Sequence, residues 1–185
     1  MVSSETMNFK KVFEALVSFF EERRIDYALI GAFALMAYGY ARFTRDVDFV
    51  VRKENKEHII AFVESLGYET IYKSEGFSNH VHPISSLGRI DFVYVGESTA
   101  DKIFSEVRRL KLFKNINLPV ASPEHIVALK VFAIKNDPQR FHSEMADIKA
   151  LMDMKLVNED RIKRYFKKWN LTALYDAHGV KKNGH

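Results

Sequence analysis

The chain has 185 residues, 47% of them hydrophobic, with 28 Lys or Arg against 24 Asp or Glu, a formal charge of +4 and a sequence pI of about 9.1. It is long enough to bury a core of its own and too apolar for global disorder, and its mild basic excess suits phosphate-bearing partners without demanding one. Cysteine is absent, which excludes disulfides, thiolate metal sites and cysteine nucleophiles together.

The N-terminal MVSSETMNFKKVFEALVSFF lacks a charged n-region followed by an unbroken apolar run, so no signal peptide is expected and a cytoplasmic protein is. Residues 7–23 carry Phe9, Val12, Phe13, Leu16, Val17, Phe19 and Phe20 at helical spacing. Asp26–Ile30 is a short β-prone run closed by Gly31; Ala32–Ala37 are helix formers, Gly39 is a stop, and Tyr40–Arg45 a loop. The fifteen uncharged residues Tyr27–Ala41 fall short of the roughly 20 a membrane span needs and are broken by Gly31 and Gly39, so no membrane partner is expected. DVDFVVR (46–52) has strand composition, Glu54–Leu66 helical spacing ending at Gly67, and Tyr68–Tyr72 strand character.

Ser74–Ser86 is polar and turn-rich, with His80 and His82 inside it, and RIDFVYV (89–95) is a strong strand. Thr99–Leu110 reads as a helix with Thr99 as N-cap, and Ile116–Val120 as a last short strand. From Ser122 the pattern is helical: Ser122 as N-cap with Pro123 at N1, a break at Asp137-Pro138, then helices over about 139–153 and 158–169. The expected fold is therefore α+β, a mixed β-sheet flanked by helices over 1–121, followed by an all-helical C-terminal region, 122–185, packed on that core. From Lys149 onward nine Lys or Arg stand against four acids, which reads either as a solvated helix face or as a nucleic-acid or partner surface.

The chemistry concentrates around Asp46. Side chains alternate along a strand, so Asp46 and Asp48 point the same way, with Cα atoms roughly 6.5–7 Å apart, at the mouth of a strand that then enters the core. Two acids so close repel unless a cation sits between them. A hard divalent ion, Mg²⁺ or Mn²⁺, matches oxygen-only ligands and leaves positions for substrate phosphates. Asp91 stands in a similar setting on RIDFVYV, and if it faces the same mouth the three acids could bridge two metal ions about 3.5–4 Å apart. A lone D-x-D is often surface decoration, and here it is joined by a strand-borne third acid and an upstream glycine turn. Gly31, at the strand-to-helix junction, presents backbone N–H groups to an anion and allows close approach. His80 and His82 could share one side of a strand, but lack a third metal ligand.

Ile30-Gly31-Ala32-Phe33-Ala34-Leu35, then Gly39, then Arg42-Phe43-Thr44-Arg45-Asp46-Val47-Asp48 ahead of Phe49-Val50-Val51, resembles the signature of the polymerase-β-like nucleotidyltransferase superfamily. The closest resemblance is to minimal and abortive-infection (AbiEii-like) nucleotidyltransferases, often encoded as toxin–antitoxin components. Gly88-Arg89-Ile90-Asp91-Phe92 looks like the superfamily's third-carboxylate strand, and Ser122–Lys130 with Arg140 and Asp147 is similar to the helical stretch bearing a nucleotide-contacting lysine and a downstream acid. The resemblance covers about residues 25–151. It implies an NTP substrate, nucleotide binding by Gly31, Ala32, Arg42, Thr44, Lys130 and Asp147, and metal and catalytic roles for Asp46, Asp48 and Asp91. Ala32 departs from the serine found after the motif glycine in many members, so its amide remains but no hydroxyl reaches the phosphate.

Lys130 is the only charge in IVALKVFAI (126–134), a helical run apolar nearly all round. It must snorkel, pair with an acid such as Asp147, or meet a phosphate. Arg45 reads as an ion-pair partner of the neighbouring acids. Aspartyl-phosphate phosphatases place their acids after the apolar run rather than before it, and D-x-D glycosyltransferases need a larger domain.

The expected activity is Mg²⁺-dependent transfer of a nucleoside monophosphate from an NTP to an acceptor hydroxyl with release of pyrophosphate. The acceptor is not specified by any residue, RNA or protein being favoured over a small molecule by the basic C-terminal segment. The alternative is a catalytically inactive protein of the same fold acting as a binding partner in a toxin–antitoxin pair, a reading to which Ala32 lends itself.

Overall fold

The computed structural model describes residues 3–113 and 116–178. Lys181 and Lys182 of the basic C-terminal segment lie outside the described residues. In chain order the elements are α1 (Ser3–Glu22), β1 (Tyr27–Ile30), α2 (Gly31–Ala37), β2 (Asp46–Arg52), α3 (Lys56–Ser65), β3 (Glu69–Lys73), β4 (Phe77–Val81), β5 (Arg89–Val95), α4 (Glu97–Ser105), β6 (Arg108–Phe113) and β7 (Ile116–Val120). After Ser122 come α5 (Pro123–Asn136), α6 (Phe141–Asp153), α7 (Glu159–Lys168) and α8 (Thr172–His178). The chain folds as two compact units that divide between Ala121 and Ser122.

The first unit is built on one seven-stranded mixed sheet, order β3-β4-β5-β2-β1-β7-β6. β2 runs parallel to β5 and β1 parallel to β7, while the other neighbours are antiparallel. The period-2 alternation of β2 and β5 sorts their side chains by face. Val47, Phe49, Ile90 and Phe92 are fully buried, while the acids between them are half-buried. α1 covers the apolar face: Phe13 meets Phe49 at a ring-centroid distance of 6.0 Å, and Phe20 meets Phe49 at 5.5 Å and Phe92 at 6.4 Å, all edge-on. Burial of each such Phe stabilises the unit by roughly 1.5–3 kcal/mol, so α1 fixes which side of the sheet is core. The acids are left on the other side.

Two strands depart from the expected pattern. Residues 77–81, inside a stretch that reads as turn-rich, form the interior strand β4. Its core-facing residues are Ser78 and His80, both fully buried, so the alternation is polar where a strand would be apolar. A hydrogen-bond chain makes that burial tolerable: Ser78 Oγ lies 2.7 Å from both His80 Nε2 and Tyr94 Oη, and Thr70 Oγ1 lies 3.0 Å from His80 Nδ1. The expected helix over 99–110 also ends early. α4 stops at Ser105 and is entered from Gly96 rather than capped by Thr99, and Arg108–Phe113 forms the edge strand β6 paired to β7. Its Arg108, Arg109 and Lys111 suit an edge, where charge discourages pairing with another chain.

The second unit is helical. Ser122 Oγ accepts from His125 N at 3.4 Å and Pro123 takes the first turn of α5, while Asn158 Oδ1 accepts from Arg161 N at 3.0 Å to cap α7. α7 buries Ile162 and Phe166 and exposes Lys163, Arg164, Lys167 and Lys168. α8 lies beyond the expected helices and brings Tyr175 to Phe166 at 5.2 Å. Among the described residues no helix is long and apolar enough to cross a membrane.

Candidate active site

The parallel register of β2 and β5 aligns Asp48 with Asp91 and Asp46 with Arg89. Residues opposite one another on neighbouring strands share a face about 4.8 Å apart, so Asp46, Asp48 and Asp91 stand on one side of the sheet. The Asp46 carboxyl is held above the usual carboxylate range, chiefly by burial and then by repulsion from Asp91, with the Arg89 and Arg42 guanidiniums pulling the other way. Arg89 Nε donates to Asp91 Oδ1 at 2.7 Å. Among the described residues no three His, Cys, Asp or Glu side chains stand in a metal-holding arrangement, and one Asp91 oxygen is taken by this guanidinium. The donors on the face are nonetheless carboxylate oxygens with no sulfur or imidazole, a set that fits a hard divalent cation.

Gly31 and Asp48 meet at the next strand junction, where Ile30 of β1 pairs with Asp48. Gly31 has φ +66°, a left-handed conformation, and its open side lies against the Asp48 carboxylate. Ala32, the next residue, is buried. Thr44 anchors the start of β2, its Oγ1 accepting from Asp46 N at 3.0 Å and donating to Asp46 O at 3.2 Å. Thr44 therefore fixes the backbone that carries the first acid. The expected ion pair of Arg45 is not what forms: its guanidinium lies 5.8 Å over the ring of Phe43, which is 81% exposed. Stacking on an exposed ring keeps the charge in water, where pairing with half-buried acids would cost desolvation.

In the helical unit Lys130 Nζ donates to Asp147 Oδ2 at 2.6 Å and to Glu144 Oε2 at 2.7 Å. Both carboxylates are buried, and Arg140 also pairs with Glu144 one turn earlier on the chain. Of the three expectations for Lys130, the ion pair with Asp147 is present, with Glu144 added. His80 and His82 do not form a metal pair. Both ring nitrogens of His80 face hydroxyls, and His82 Nδ1 accepts from Ile84 N at 2.9 Å.

Arg89, Glu144 and Asn79 are the polar residues that the sequence reading passed over. Arg89 is two residues from Asp91 on a strand, a spacing that already places the two on one face. Glu144 precedes Asp147 by three, the helical spacing that lets both reach one lysine. Asn79 pairs with Asp91 across β4 and β5, and Tyr72 pairs with Asn79 because an irregularity between Thr70 and Tyr72 shifts the register by one residue. That shift turns Tyr72 to the acid-bearing face, where its ring stacks on Phe77 at 5.1 Å. With β4 unrecognised, neither could be placed.

The profile of the family described as "Nucleotidyl transferase AbiEii toxin, Type IV TA system" matches residues 14–179. Similar solved structures include the antibiotic-resistance factor ANT(2'')-Ia in solution, with TM-score 0.67, 14% identity, 94% of this chain covered and 98% of that one. A nucleotidyltransferase-like antigenic protein from Paracoccidioides brasiliensis follows at TM-score 0.56 and 13% identity over 92% of this chain and 91% of that one. The lincosamide antibiotic adenylyltransferase LnuA, lincomycin-bound, aligns at TM-score 0.51 and 16% identity over 64% of this chain and 82% of that one. At these identities the likeness is one of fold. No curated protein matches the sequence.

Proposed function

The chain belongs to the AbiEii nucleotidyl transferase family, and from that premise we propose that it transfers a nucleoside monophosphate from an NTP to an acceptor hydroxyl. The acceptor oxygen attacks the α-phosphorus, the bond from that phosphorus to the bridging oxygen of the β-phosphate breaks, and pyrophosphate leaves with its electron pair. The observation that carries the reading is the shared face of Asp46, Asp48 and Asp91 set by the β2–β5 register.

Asp46, Asp48 and Asp91 would hold Mg²⁺ or Mn²⁺, which when bound supplies Lewis-acid stabilisation of charge on phosphate oxygens. Asp91 is also the group for the acceptor proton, since it lies on the strand farther from the Gly31 turn. The Gly31 and Ala32 amides and Arg42 would take the phosphates, and Thr44, whose hydroxyl bonds the Asp46 backbone, would hold the first acid in place for them. Lys130, whose ammonium is bonded by Glu144 and Asp147, is the lysine that the family resemblance would assign to the nucleotide. Asp147 thus serves the nucleotide through Lys130.

A purified chain incubated with each α-labelled NTP and a cell lysate should label one fraction, RNA or protein ahead of small molecules, and Asp46→Asn should abolish the labelling without loss of fold. Undiminished transfer by Asp46→Asn would refute the assignment. A second reading is an inactive nucleotide-fold partner in a toxin–antitoxin pair, favoured by Ala32 in place of a hydroxyl-bearing residue. It requires that pyrophosphate release be absent with every NTP, and that any nucleotide binding seen by calorimetry be indifferent to Mg²⁺.

A further inference from the structure

We propose that Arg89 is a resident counter-cation of the acidic face: in the metal-free protein its guanidinium holds one oxygen of Asp91, and a divalent cation binds there in competition with it. This rests on the reading that the three carboxylates take such a cation. Three acids on one half-buried face are unfavourable without a compensating positive charge, and the chain supplies one from the same strand. Arg89 and Asp91 are i and i+2 on β5, so both point to the acid side, and Nε reaches Oδ1 at 2.7 Å.

The pair is not an ordinary surface contact. The Asp91 side chain is 20% exposed and that of Arg89 38%, and Arg89 stands in register with Asp46, so one guanidinium faces two carboxyl-bearing positions. Exposed ion pairs are worth little, but a half-buried charge-assisted hydrogen bond beside further acids is costly to give up. Among the described residues no three acids stand as a metal-holding group, and one oxygen of Asp91 is held by Arg89. Divalent binding at this face is therefore an exchange of one cation for another, and Arg89 sets its affinity. Arg42, the other guanidinium acting on Asp46, lies on the loop before β2 and is not bound to β5 by register.

The test is a Mn²⁺ titration of the metal-free full chain, with free Mn²⁺ read by electron paramagnetic resonance. Arg89→Met, which keeps length and removes charge, is expected to bind Mn²⁺ about tenfold tighter than wild type, because no charge-assisted hydrogen bond has to be broken first. Its melting temperature without metal should fall below wild type and be restored by saturating Mn²⁺. Should Arg89→Met not fold, Arg89→Gln carries the same comparison. Equal or weaker Mn²⁺ binding by the uncharged variant overturns the role of Arg89 while leaving the carboxylate site standing. If neither wild type nor variant takes up Mn²⁺ at millimolar concentration, the carboxylate reading fails and the counter-cation role with it.

Discussion

The Asp48 carboxylate fills the space in which a side chain at residue 31 would begin: a Cβ on Gly31 would lie 2.0 Å from Asp48 Oδ2 and 2.6 Å from its Cγ. The left-handed φ of +66° at Gly31 adds a second reason for glycine. Gly31→Ala therefore has to displace an acid of the candidate site as well as strain the backbone. The backbone contribution alone is about 1–2 kcal/mol. We expect a lowered melting temperature together with loss of nucleotide transfer. A variant that is destabilised but transfers at the wild-type rate would show that the Asp48 position is not needed.

Acid–base titration of the metal-free protein should reveal the crowding of Asp46. Its folded-state value is raised, by burial first and by Asp91 second. A group raised on folding contributes stability that is present at low pH and lost as the pH climbs through its folded value. Asp46→Asn removes that dependence, so above the carboxylate range the variant should melt no lower than wild type. Thermal melts from pH 3 to 7, without divalent ions, compare the two slopes. A steeper slope in the variant would contradict the assignment.

His80 carries the opposite dependence. Burial lowers its folded-state value, only partly offset by Asp91 and Glu64, and its two nitrogens face the hydroxyls of Ser78 and Thr70. A depressed base contributes stability above its unfolded value of about 6.5 that is lost as the pH falls through the folded value. His80→Gln should flatten this acid loss, and the His80 imidazole resonances of wild type should titrate below the ordinary histidine value. A normal titration of His80 would mean the hydroxyl network does not hold it neutral.

Lys130 bonds both Glu144 and Asp147, which are buried, so Lys130→Met removes the cation they share. Removing one member of a buried ion cluster costs about 3–5 kcal/mol. Denaturant unfolding should show this loss, and combining Lys130→Met with Asp147→Leu should recover part of it. If Lys130 also reaches the nucleotide, the double variant will regain stability but not NTP affinity.

The acid-bearing strands were legible because their signal is local. Asp46, Asp48 and Asp91 each interrupt a run of β-formers, and strand periodicity then dictates their face. The mixed sheet and helical C-terminal part followed from the same patterns. What escaped was non-local. The burial of Ser78 and His80 is tolerated by partners from β3 and β5 that no window around residue 78 contains, so β4 passed for loop. Arg108 and Arg109 look like the end of the helix before them and become a strand only because β7 offers them a partner. The Arg89–Asp91 pair was readable in principle, since it needs only a two-residue spacing.

The parallel pairing of β2 with β5 has a consequence for biosynthesis. Its two strands are separated by α3 and the β3–β4 hairpin, so the pairing is a long-range closure, the slow kind in folding. A nascent chain that has emerged only as far as β4 carries Asp46 and Asp48 without their third companion, and a product truncated before Arg89 never acquires it. If the trio performs the chemistry proposed, the tethered nascent chain is inert until β5 has joined β2.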